Sequence, residues 1–102
     1  MIYELRIYRF YPGQKKTFLN GFKKAKSFMK KYGITFVAAW ENSDRDDEFI
    51  WIRAFLSLKV REKATHRYYS SPEWSRIVHM LRPTIKRREV RIMKALPYSP
   101  LK

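Results

Sequence analysis

The sequence predicts an α+β domain of the ferredoxin-like class, with a four-stranded antiparallel sheet and helices over one face. Three observations predict it. Four segments alternate apolar and polar residues with the period of a strand, and two longer segments repeat with the period of a helix. Their order is β-α-β-β-α-β. The two middle strands are joined by a short polar stretch, as an antiparallel hairpin requires.

Residues 2–11 form the first expected strand, containing Tyr3-Glu4-Leu5-Arg6-Ile7-Tyr8. Pro12-Gly13 ends it. Residues 13–32 then read as an amphipathic helix. Phe18, Phe22, Ala25, Met29 and Tyr32 make one narrow stripe, and Lys16, Lys23, Lys24, Lys30 and Lys31 lie opposite. Lys30 and Lys31 suit the negative end of the helix dipole, and Gly33 suits a left-handed cap. Residues 34–41 and 49–56 are the second and third strands, linked by the polar stretch 42–48. Ser57 is the expected N-cap of a helix from 58 to about 69. Ser70-Ser71-Pro72-Glu73 restarts a helix: a serine cap, a proline in the first turn, and a glutamate near the positive end. Its stripe is Trp74, Ile77, Val78 and Leu81, and Pro83 stops it. Residues 85–96 are the fourth strand. The domain is thus expected over 1–96, with 97–102 as a proline-containing tail.

Helices on one face need an apolar row from each strand. The expected rows are Tyr3, Leu5 and Ile7; Ile50, Ile52, Ala54 and Leu56; and Val90 and Ile92, with Leu96 at the end. The second strand is apolar on both sides, so its faces stay unassigned. The opposite rows are Glu4, Arg6 and Tyr8; Phe49, Trp51, Arg53 and Phe55; and Glu89, Arg91 and Met93. A sheet face left to water is mostly polar. This one carries Tyr8, Trp51, Phe55 and Met93, a patch of the kind that marks an interface. Two sheets packed face to face as a C2 homodimer would cover it, giving a dimeric α+β barrel. Tyr8, Trp51, Phe55 and Met93 are therefore the expected dimer contacts.

Composition bounds the rest. One domain fits 102 residues, and 45% hydrophobic residues argue against disorder. The absence of cysteine excludes disulfides and thiolate-bound metal, and two histidines make a metal site or a histidine triad implausible. No metal and no cofactor is expected. No apolar run approaches the ~20 residues of a membrane span, and the first strand starts too early for a targeting segment, so a cytoplasmic location is expected. Many Lys and Arg with few amide side chains resemble a thermophile's composition. A net charge of +14 favours anionic partners.

The charged residues among the aromatic rows are the candidate site. Arg6, Arg53 and Arg91 would hold a carboxylate or phosphate. Glu4 or Glu89, desolvated by Trp51 and Phe55, would act as base, and Tyr8 would donate to a developing oxyanion. The competing reading is that these groups form ion pairs that set the register of a barrel without catalytic work. His66 and His79 lack a local carboxylate partner. The lysine-rich helix face with Lys86-Arg87-Arg88 could meet nucleic acid or another anionic surface, but no recognition motif accompanies it; the third strand lacks the glycine of an RNA-binding sheet motif. Asp44, Asp46, Asp47 and Glu48 lack the glycine and ligand spacing of a calcium loop.

At these residues the chain resembles a known family. Tyr3-Glu4-Leu5-Arg6-Ile7-Tyr8 followed by Pro12-Gly13 is similar to the opening of NIPSNAP-family domains. So are the aromatic third strand running into Ser57-Leu58 and Arg61, and Pro72-Glu73-Trp74 in the second helical region. The resemblance spans nearly the whole chain and implies the dimeric α+β barrel superfamily. That superfamily includes cofactor-independent oxygenases, haem-handling enzymes and stress-response barrels with pockets between sheet and helices. Many family members carry a histidine and a tyrosine on the third strand, where this chain has Trp51 and Phe55, so histidine-dependent chemistry is not expected. The expected function is binding of a small anionic or aromatic molecule in the barrel, with a cofactor-independent, monooxygenase-like activity as its enzymatic form. The alternatives are a non-catalytic interaction dimer, or an anionic-surface binder.

Overall fold

The computed structural model describes all 102 residues. The strands are β1 (Ile2–Phe10), β2 (Thr35–Glu41), β3 (Glu48–Phe55) and β4 (Ile85–Lys94). The helices are α1 (Lys15–Ser27), α2 (Leu58–Tyr69) and α3 (Pro72–Ile77). The sheet runs β2-β3-β1-β4, and every neighbouring pair is antiparallel. This is the ferredoxin-like α+β architecture.

Local chemistry explains most boundaries. Ser57 Oγ accepts from the Val60 N–H at 3.1 Å and starts α2. Ser71 Oγ accepts from the Trp74 N–H at 3.1 Å and starts α3, with Pro72 in its first turn. Both caps satisfy donors that the first helical turn leaves unpaired. The helix expected over 13–32 is shorter. Ser27 Oγ donates to the Lys24 carbonyl at 2.6 Å, which competes with the helical ladder. The chain leaves α1 there and makes a 3-10 turn over Lys30–Tyr32. Gly33 closes that turn with φ 84°, a conformation that glycine adopts at little cost.

The aromatic stripe of α1 forms the core as expected. Phe18, Phe22, Ala25 and Met29 are all buried. Phe22 packs edge-on against Phe49 and Trp51, with centroids 4.8 and 5.1 Å away. Such pairs add about 0.5–1.5 kcal/mol each beyond burial of area. Tyr68 of α2 donates to the Ala25 carbonyl at 2.8 Å and ties α2 to α1. Gly21 lets α1 approach the Val78–Met80 turn. A Cβ at Gly21 would lie 2.8 Å from the Met80 Cβ.

The faces of the sheet differ from the sequence expectation. Glu4, Arg6 and Tyr8 of β1 point to the helices, not away from them; all are buried. The β1–β3 register places them opposite Arg53, Trp51 and Phe49. Tyr8, Trp51 and Phe55 are therefore core residues beneath the helices, and of the four expected dimer contacts only Met93 lies on the open face. Tyr3, Leu5 and Ile7, expected under the helices, line that open face with Ile50 and Ile52. Strand β4 lies with its expected sides in place. Val90 and Ile92 pair with Arg6 and Glu4, whereas Glu89 and Arg91 pair with Ile7 and Leu5. The expected row joining Glu4 and Arg6 to Glu89 and Arg91 therefore does not exist. A register shift at Val37 settles β2: Phe36 turns to the helices, while Ala38 and Trp40 turn to the open face.

Physically, the more polar row of β1 reaches the interior because its charges find partners there, as described below. The aliphatic row remains only partly buried, and Trp40 beside it is 51% exposed. No helix is long and apolar enough to cross a membrane.

Candidate functional site

The β1–β3 pairing builds a charged cluster beneath α2. Glu4 has 0% exposure. Its Oε2 accepts from Arg53 Nε, and from Arg6 Nη1 at 3.3 Å. Its Oε1 accepts from Arg61 Nε of α2 at 2.8 Å. One carboxylate thus meets three guanidiniums. Burial alone would push the Glu4 carboxyl up. Hydrogen bonds and attraction from Arg53, then Arg61 and Arg6, outweigh it and hold the group below the ordinary glutamate value. Glu4 is accordingly a buried counter-charge, a poor fit to the expected role of base.

Two phenols extend the cluster. Arg6 Nε donates to Tyr8 Oη at 2.6 Å, and Arg53 Nη1 donates to Tyr69 Oη at 3.0 Å. Beside them lies a cavity of about 250 Å³, between the inner face of the sheet and the helices. Arg6, Tyr8 and Trp51 form part of its sheet wall, with Phe22, Tyr69 and Trp74 across from them. Arg82 and Arg88 are the two exposed members of the lining and mark its mouth. Arg82 lies over the Trp74 ring at 5.9 Å, within cation–π range. The lining contains no Asp, Glu or His.

Of the expected ligand-binding residues, the structure brings Arg6 and Trp51 to this cavity. Arg53 stands one layer behind, through Tyr69, and Phe55 is buried away from the lining. Arg91 is exposed on the other face. Glu89 lies on that same outer face and accepts from Arg87 at 2.9 Å. Of the three catalytic candidates only Tyr8 touches the cavity. The sequence assigns Arg61, Tyr69, Arg82 and Arg88 no role in this site; Arg88 stands there only in a basic surface patch and Arg61 only in a family motif. Arg61 and Tyr69 lie eight residues apart on α2, about two turns and so on one side. That spacing is the signal that they meet one target.

His66 and His79 are exposed and do not line the cavity. No group of three or more His, Cys, Asp or Glu side chains is close enough to hold a metal ion. The acidic hairpin tip makes its own pairs: Arg45 donates to both oxygens of Asp47 at 2.9 Å.

The fold and cavity define a ferredoxin-like α+β protein with an internal pocket under its helices. The NIPSNAP family profile matches residues 3–100, and the chain belongs to the NIPSNAP family. It is similar to a NIPSNAP family protein with unknown function from Agrobacterium tumefaciens. The two share 28% identity over 100% of this chain and 94% of that one, with a TM-score of 0.90. A NIPSNAP domain protein from Burkholderia xenovorans superimposes with a TM-score of 0.85 at 17% identity, covering 98% of this chain and 99% of the other. A more distant likeness, in fold alone, is to a putative antibiotic biosynthesis monooxygenase from Bordetella bronchiseptica. There the TM-score is 0.75 at 12% identity, over 93% and 96% of the two chains. No curated protein matches the sequence.

Proposed function

We propose that each protomer is a small-molecule-binding unit whose site is the cavity between sheet and helices, and that two protomers pair through their open sheet faces. The observation that carries the binding reading is the cavity itself. Its walls combine aromatic rings with a few convergent polar groups, the usual make-up of a ligand site. A dry apolar cavity of ~150 Å³ accepts benzene. The volume of about 250 Å³ therefore suits one aromatic ring with a small substituent.

The pairing reading rests on Leu5, Ile7, Ile50, Ile52 and Trp40. They form a contiguous apolar face with no helix over it. Burying it against the same face of a second copy is the self-complementary solution. The barrel so formed keeps one cavity in each protomer, outside the space between the two sheets. Tyr8 is the one expected catalytic group that lines the cavity, which supports a role as hydrogen-bond donor to a bound oxyanion. With neither carboxylate nor imidazole in the lining, the reading is of binding first.

Crystals soaked with single-ring aromatic fragments test it. Density is expected between Trp51 and Trp74. If in every soak the side chains of Tyr69 and Trp74 close the space instead, the binding reading fails.

A further inference from the structure

The cavity is unusual in the balance of its hydrogen-bonding groups. Arg6, Arg82 and Arg88 bring positive charge to the lining, and no carboxylate faces it. Glu4 cannot supply the missing charge. It is fully buried and already shared among Arg53, Arg61 and Arg6, which leaves that cluster with two positive charges in excess. Arg82 and Arg88 make no ion pair within the chain, whose salt bridges all involve other residues.

The neutral groups lean the same way. Tyr8 and Tyr69 each use the phenol oxygen to accept from an arginine, and neither hydroxyl donates to any acceptor in the chain. The Trp51 indole Nε1 is the one buried side-chain polar atom with no hydrogen-bond partner at all. Trp51 is 2% exposed, so water does not reach that N–H freely. The three residues that carry these unmatched donors and three arginines thus line one small space. An unpaired buried donor costs free energy of desolvation, and excess buried positive charge costs more. Both costs are offset by a ligand rich in acceptors and negatively charged. The remaining wall is aromatic, supplied by Phe22, Trp51 and Trp74.

We infer that the ligand class of this pocket is a single-ring aromatic carboxylate, its anionic group held by Arg6, Arg82 and Arg88 and its ring lodged among the aromatic side chains. This rests on the pocket reading above. It adds the sign of the ligand's charge and its acceptor character. Tyr8 and Tyr69 donate to the carboxylate or to an oxygen substituent on the ring, and the Trp51 N–H takes a further acceptor. A phosphate in place of the carboxylate would satisfy the same donors, and the test separates the two.

Calorimetric titration with benzoate, benzamide, acetate and phenyl phosphate reads the inference directly. Benzoate is expected to bind at least about tenfold more tightly than benzamide, its neutral counterpart of the same shape. It should also bind more tightly than acetate, which lacks the ring, and than phenyl phosphate, whose larger head group takes more of the roughly 250 Å³ available. The variant Arg82→Gln/Arg88→Gln changes two exposed residues and keeps the fold. It should lose roughly tenfold in benzoate affinity and markedly less in benzamide affinity; an equal loss for both overturns the anion inference. Circular dichroism checks the fold of the variant. Benzamide binding as well as benzoate overturns the anion inference while the small-molecule pocket stands. Phenyl phosphate binding best overturns the carboxylate. Acetate binding as well as benzoate overturns the ring. If none of the four binds at millimolar concentration, the inference fails. If the fragment soaks find the cavity closed as well, the pocket reading fails with it.

Discussion

The two faces of the sheet solve opposite problems. The inner face, under the helices, carries Glu4, Arg6 and Arg53, three ionisable side chains with 8% exposure or less. The outer face carries Leu5, Ile7, Ile50 and Ile52 and leaves them only partly buried. Charge lies inside and aliphatic surface outside, the reverse of the usual sorting. A charged row tolerates burial only when its members find hydrogen-bond partners. Here α2 supplies two of them, Arg61 to Glu4 and Tyr69 to Arg53, although the positive charge stays in excess. The aliphatic row needs no specific partner, so it can wait for one of matching shape.

Breaking the inner cluster should have the largest effect. Glu4→Gln leaves Arg53, Arg61 and Arg6 without their shared counter-charge. Urea unfolding is expected to show a loss of about 3–5 kcal/mol, the cost of removing one partner from a buried ion pair. A loss below about 1 kcal/mol would mean that the cluster is hydrated and the contrast between the faces overstated. The same group sets a pH dependence. The folded state holds the Glu4 carboxyl below its ordinary value. Its contribution is therefore complete above the unfolded value of about 4.3, and is lost as pH falls through the lower folded value. The acid arm of the stability profile should flatten in Glu4→Gln.

The outer face should respond to charge in a different observable. Ile52→Lys is expected to weaken self-association at least about a hundredfold by sedimentation velocity, with the far-ultraviolet spectrum unchanged. If the parent protein sediments as a monomer at micromolar concentration, the open-face pairing is wrong. The smallest effect is expected at Glu89→Gln. That carboxylate also sits on a strand beside an arginine, but on the outer face. Its removal should change stability by less than about 0.5 kcal/mol. A loss as large as that of Glu4→Gln would erase the distinction between the two faces.

What the sequence disclosed follows how local each signal is. The caps at Ser57 and Ser71, the left-handed glycine at Gly33 and the stripe from Phe18 to Met29 depend on neighbours within one or two turns, and all are readable, although α1 itself ends earlier, at Ser27. The domain class and the family followed from the order of elements and a few motifs. Which row of β1 faced the helices was not readable. Strand β3 is apolar on both sides, with Phe49, Trp51 and Phe55 on one and Ile50 and Ile52 on the other. The ordinary preference for aliphatic rows inside then chose wrongly. The deciding contacts come from Arg61 and Tyr69, more than fifty residues from Glu4 and Arg6. The cavity mouth was hidden for the same reason. Arg82 and Arg88 flank a turn and a strand end whose closeness to Tyr8 and Trp74 exists only in the folded chain.

The extra residue at Val37 has a further consequence, for the rim of the sheet. Strand β2 is one of its two edges, and the register shift there interrupts the row of free backbone donors and acceptors that an incoming strand would read. The other edge, β4, is studded with Lys86, Arg87, Arg88, Arg91 and Lys94, which repel a like strand laid alongside. Both borders thus resist sideways growth into an extended ribbon. The pairing proposed through the broad surface would, by contrast, be self-limiting, because two copies use it up.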